Sequence, residues 1–225
     1  MSMKRILISK YLLVISLLII FCPSCRWFEN SFESRWVHTP DRVWVGADYW
    51  TNRLQDWRIH DGRLECIGSN RPLRTVHLLT QSLGPVEGHF SMRIETGLLS
   101  EKARRAGAYA GFLIGAGSPE DDYRLRALVH QAPGENGGII TGINGRGQIV
   151  VMDNANKRKP IDLEREGLAG GKRIPDGGVR LNLKARLVEG KYKLILHVLD
   201  LKSGETLDSA YVEGISRKRM HGNIA

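Results

Sequence analysis

The sequence predicts an all-β chain, a single-domain jelly-roll β-sandwich, and three observations along its 225 residues predict it. Short runs in which apolar and polar residues alternate with period two recur from Val43 onward at intervals of about a dozen residues, and almost nothing repeats with a helical period. Turn-forming dipeptides such as Asp61-Gly62, Asn144-Gly145 and Glu189-Gly190 stand between those runs. No internal repeat of about 20–50 residues is present, which argues against a propeller or a β-helix.

The first residues stand outside that pattern. Lys4, Arg5 and Lys10 precede an eleven-residue apolar run, Tyr11 to Phe21, and Cys22-Pro23-Ser24-Cys25 follows. A charged region, an apolar region and a small residue before a cysteine make residues 1–24 read as a lipoprotein-type signal helix, although Cys22 is an unusual occupant of its position. The run is too short for a hydrocarbon core of about 30 Å, which needs about 20 residues. Cleavage before Cys25 would leave that cysteine as the lipidation site, and the chain is then expected to be exported and lipid-anchored at a bacterial cell envelope. An ordinary signal peptide or an uncleaved anchor is the competing reading. Residues 25–42 are expected to be a tether that becomes ordered near Trp36 or Val43, and residues 43–225 the sandwich.

The opening strands are expected in the stretch from Tyr49 to Cys66, where Asp61-Gly62 joins Trp57–His60 to Arg63–Ile67 as a hairpin. Thr75–Gln81 follows, bounded by Pro72 and Gly84-Pro85. Gly88–Leu99 alternates Phe90, Met92 and Ile94 against Ser91, Arg93 and Glu95. Gly107–Gly117 is apolar and spaced with glycines, as expected of an interior strand covered on both faces. Pro119 to Asp122 reads as an acidic turn and Tyr123–His130 as a strand. Ile139–Ile143 and Gln148–Met152 are expected to pair through Asn144-Gly145. Residues 153–178 read as a long excursion with at most one helical turn. Val179–Val188 and Lys191–Asp200 are strong strands joined at Glu189-Gly190, and Leu201–Glu205 leads into Thr206–Glu213. Met220–Ala225 reads as a turn and the beginning of a further strand, so the sandwich is expected to lack its final strand and to expose an edge.

Composition narrows the function less than the fold. The formal net charge is +9, of which +6 remains without residues 1–24, a basic excess that favours anionic glycans, phosphorylated polymers or lipid headgroups without choosing among them. Cys66 alone remains beyond Cys25, so no internal disulfide is available and the core must hold the domain. Neither a nucleophile elbow, nor a phosphate loop, nor a His-Glu-x-x-His zinc motif is present. The seven histidines are far apart in sequence, with His60, His77, His89, His130 and His197 on expected strands. No catalytic residue, metal ligand, cofactor or nucleic-acid partner is expected. A glycan site would take Trp50 or Trp57 as an apolar platform, with Asn52, Asp56, Asp122 and Arg124 as polar partners. The competing reading places Trp57 in the core and Trp50 under the loop before the hairpin.

Several of these segments together resemble one family. Tyr49 to Arg58, Asp61 to Cys66, Val76 to Thr80, Ala110 to Gly115 and Asp122-Tyr123-Arg124 are similar to the N-terminal lectin-like domain of PhoD-type alkaline phosphatases, over about residues 43–225. The resemblance implies a concanavalin-like, LamG-like sandwich, normally followed by a calcium- and iron-dependent phosphatase domain. None of that second domain is present, so no metal-binding or catalytic residue carries over. The function expected is a non-catalytic, envelope-anchored module that binds glycan or another anionic polymer, or positions a phosphatase partner, in a truncated or split product. An enzyme, either phosphatase-associated or a sandwich glycoside hydrolase, and a gene fragment without function are the alternatives.

Overall fold

A computed structural model describes residues 31–68, 73–84, 87–105, 107–117, 121–122, 136–165 and 173–225. The signal segment, Cys25, the strand expected at Tyr123–His130 and Arg124 lie outside the described residues. The chain divides after Ser34, and the unit Arg35–Ala225 is all-β, its helical content among the described residues limited to four 3-10 turns. Its two larger sheets form a sandwich-like arrangement. One has the order β10 (Lys159–Pro160), β9 (Ile149–Asp153), β8 (Ile139–Asn144), β7 (Tyr109–Ala116), β15 (Gly222–Ile224), β5 (Ser82–Leu83). The other has the order β11 (Glu164–Arg165), β14 (Thr206–Ser216), β13 (Lys191–Asp200), β12 (Val179–Val188), β6 (Phe90–Thr96), and every pairing in both is antiparallel.

The alternation read from the sequence is the alternation of burial. On β12, Val179, Leu181, Leu183 and Ala185 turn inward, and on β13 Tyr192, Leu194, Leu196 and Val198 do the same. They meet Phe112, Ile114, Ile139, Ile143, Ile149 and Val151 of the six-stranded sheet in one continuous core. Each such aliphatic side chain contributes about 1.5–3 kcal/mol by leaving water. The six-stranded sheet is apolar on its second face too, where Leu113 and Ile140 pack with Leu73, Tyr109 and Met152. This is why β7 reads as an interior strand.

Two small ribbons complete the fold: β1 (Tyr49–Thr51) with β4 (Val76–Leu78), and β2 (Trp57–His60) with β3 (Arg63–Cys66). The Asp61-Gly62 hairpin is as expected, with φ of +48° and +69° at its two centres, the pair of positive values that a tight primed turn requires. Its place differs from the expected one, because it joins neither large sheet and is tied instead to Arg42 by a bridge to Ile59. Tyr49–Thr51 is a strand and not a loop over Trp50. Thr75–Gln81 shortens to the three residues of β4.

Other local expectations hold in part. The hairpin expected at Asn144-Gly145 is present and joins β8 to β9. The loop runs to Gln148, and the Asn144 carboxamide oxygen accepts hydrogen bonds from the Arg146 and Gln148 amides, at 3.0 Å each. An asparagine side chain that closes its own turn stabilises the longer loop. The 153–178 excursion contains two-residue strands, β10 and β11, at the outer edges of the two sheets. The closing residues form β15 inside the six-stranded sheet, between β7 and β5, with reciprocal backbone bonds of 2.7 and 2.9 Å between Leu113 and Ala225. A Cβ at Gly222 (φ +127°) would run into the Gly117 carbonyl, so this close approach requires glycine.

Candidate functional site

Two of the residues expected to bind glycan, Asn52 and Asp56, lie between the strands of the small ribbons, and both hold the chain itself. Asn52 follows β1 and reaches across to the segment before β4, donating from Nδ2 to the Leu73 carbonyl at 3.0 Å and accepting from the Thr75 amide at 3.1 Å. Asp56 accepts from Arg53 Nε at 2.8 Å and from Arg74, whose side chain is only 7% exposed. Burial raises the Asp56 pKa, but the hydrogen bonds from Arg53 and Arg74 outweigh it and hold the carboxyl below its usual range. Asn52 and Asp56 therefore converge on residues 73–75 as clamps on the chain. Asp122 is exposed and Arg124 lies outside the described residues.

The two tryptophans part company. Trp57 is half-buried with its indole Nε1 shielded from solvent, on a ribbon outside the two large sheets rather than in their core. Trp50 keeps 38% of its surface exposed. It stands on β1 opposite His77, which is 1% exposed and hydrogen-bonded through Nδ1 to Asn223 Oδ1 at 2.5 Å. Asn223 Nδ2 in turn donates to the Leu78 carbonyl at 2.8 Å. The strand that presents Trp50 is thereby fixed to the last strand of the six-stranded sheet.

The expected strand histidines do not converge among the described residues. His60 Nδ1 meets Asp41, His77 meets Asn223, His89 Nδ1 accepts from the Leu187 amide at 3.1 Å, and His197 Nδ1 meets Ser209 Oγ at 3.0 Å. Asp41, His60 and Asp61 are the one set of metal-type donors that gather among the described residues, within 4.8 Å of one another. The His60 hydrogen bond holds the Asp41 carboxyl below its usual range, and the set is exposed, closing the hairpin against residue 41. Burial pushes the Cys66 thiol up, away from a nucleophilic thiolate.

Substituting Asn52 by Ala is expected to cost about 1–2 kcal/mol, because two backbone groups lose their partner at once. Urea unfolding measures it. A loss below about 0.5 kcal/mol would return Asn52 to the candidates for ligand contact.

One surface was not anticipated. The outward residues of β6, β12, β13 and β14 lie in register, Arg93 beside Asn182, Asn182 beside His197, and His197 beside Ser209. The alternation of Arg180, Asn182, Lys184 and Arg186 is visible in the sequence, but which polar residues of other strands stand next to them is not. Comparison with protein-family models, with curated proteins and with solved structures finds no match to this chain.

Proposed function

We propose that this chain is a non-catalytic β-sandwich module, held at the bacterial cell envelope through Cys25, that binds glycan with Trp50 as its stacking ring. The observation that carries this reading is the exposure of the Trp50 ring on a strand that backbone pairing with β4 and the His77–Asn223–Leu78 hydrogen bonds hold still. A large ring presented rigidly loses little entropy when a sugar face packs on it, and it contributes more to binding than a mobile one. A concanavalin-like jelly roll is the architecture that this reading assigns to the two sheets. Positioning of a PhoD-like phosphatase is the role it assigns to the bound state.

Glycan-array screening followed by calorimetric titration of the full chain tests the reading. Trp50→Ala is expected to weaken binding on the order of 10-fold, the equivalent of about 1.4 kcal/mol, while the folded state is retained. Absence of binding to any glycan, or an unchanged affinity in Trp50→Ala, sinks it.

A further inference from the structure

The outer face of the five-stranded sheet carries Arg93 on β6, Arg180, Lys184 and Arg186 on β12, and Lys191 and Lys193 on β13. Its carboxylates are Glu95, Glu164 and Glu213, and each is engaged: Glu95 accepts from Arg180 Nη2 at 2.7 Å, Glu213 meets Lys193 Nζ at 2.6 Å, and Glu164 accepts from the Tyr211 hydroxyl at 2.5 Å. Among the described residues, no carboxylate pairs with Arg93, Lys184, Arg186 or Lys191. The register places Ser91 opposite Lys184 and Arg93 opposite Asn182, so Arg93 stands diagonal to Lys184. Lys184 and Arg186 are two residues apart on one strand, about 7 Å, and the diagonal is of similar length. Beside this line of cations Asn182, His197 and Ser209 stand in register, with Ser209 7% exposed and the Asn182 carboxamide oxygen shielded from solvent, so the cations are what the face presents.

We propose that this sheet face binds a polyanionic glycan, one bearing carboxylate or sulfate groups along its length, a second surface that goes beyond the Trp50 site proposed above. Charge complementarity selects an anion, because three uncompensated cations in a line attract repeated negative charges and pair them with little rearrangement. An anionic membrane surface is disfavoured, since among the described residues the face holds between its cations the half-buried Ile195 and Leu199, with Val188 at its margin, and no protruding aromatic residue to enter a bilayer interface. Nucleic acid is disfavoured for a related reason. Tyr211, the tyrosine on the face, is covered by Lys193 Nζ at 3.5 Å from its centroid and is not open to a base.

The test is titration of the full chain with polygalacturonate and with dextran sulfate, beside neutral dextran, phosphatidylglycerol vesicles and single-stranded DNA. The variant Arg93→Ala/Lys184→Ala/Arg186→Ala is compared with Lys102→Ala/Arg146→Ala/Lys202→Ala, which removes the same charge elsewhere. The expected result is tighter binding of the polyanionic glycans than of the other probes, weakened on the order of 10-fold by the face variant and less than about 2-fold by the control. Affinity should also fall as salt rises from about 50 mM to about 300 mM. Equal losses in both variants, insensitivity to salt, or tighter binding of vesicles or DNA overturns the proposal. Binding of a neutral glycan through Trp50 without binding of polyanions overturns this proposal and leaves the glycan-binding reading standing. Failure of every glycan removes both.

Discussion

Lowering the pH from about 7 to about 4 is expected to remove about 3 kcal/mol of folding stability through His77 alone. Burial of this imidazole among the strands lowers its pKa from 6.5 to about 4, only partly opposed by the hydrogen bond to Asn223. Between those two values the unfolded chain binds a proton that the folded chain excludes, so stability rises with pH there and is lost as pH falls through the window. The carboxylates held below their usual range, Asp41, Asp56, Glu65 and Asp200, act lower, because their ordinary values are 3.8 and 4.5. The two windows are therefore separable. Urea unfolding across the range should show the upper slope in the native chain and its loss in His77→Gln, which starts less stable and has nothing to titrate there. An unchanged slope in His77→Gln would place the acid sensitivity elsewhere. Since His77 pairs with Trp50 across β1 and β4 and joins β4 to β15, the glycan affinity proposed for Trp50 is expected to weaken in the same window.

What the sequence made legible follows from how local each signal is. β6, β12 and β13 are long half-buried strands whose period-two alternation stands within a single stretch, and their expected spans contain or match those observed. The Asp61-Gly62 and Glu189-Gly190 turns are equally local, each needing two residues that accept positive φ. Strands β5, β10 and β11 are two residues long and exist because a neighbour offers them a ladder, which no pattern in so short a segment records. The place of β15 inside its sheet depends on β7 and β5, over a hundred residues earlier. The surroundings of the candidate site were hidden in a comparable way. Trp50, Asn52 and Asp56 crowd into a few residues of sequence, and the partners that Asn52 and Asp56 hold, at residues 73–75, lie about twenty residues on. The cationic sheet face needed the register of four strands before Arg93, Asn182, His197 and Ser209 became neighbours.

Replacing Arg165 by Met is expected to destabilise the protein by about 3–5 kcal/mol, because it strands a buried charge. Asp208 is 0% exposed, on β14 opposite Val198, with its carboxylate turned into the edge of the core. A carboxylic acid so placed suggests a catalytic group, yet its surroundings argue otherwise. Arg165 Nη1 lies 2.6 and 2.8 Å from its two oxygens, and the Ser209 amide donates to Oδ1 at 2.9 Å. These donors hold the carboxylate as a fixture between β11 and β14, whose pairing brings Arg165 opposite Ala210. Without the guanidinium, the attraction that offset desolvation is gone while the desolvation remains. Asp208→Asn alone keeps an acceptor for the Ser209 amide and loses only the charge, so it should cost less. In the double variant the neutral amide needs no cation, and the total should fall short of the sum of the single losses by at least about 1.5 kcal/mol. Urea midpoints of the four proteins provide the cycle. Additive losses would mean that Arg165 and Asp208 act separately, and the buried carboxylate would then require an explanation other than the joint between β11 and β14.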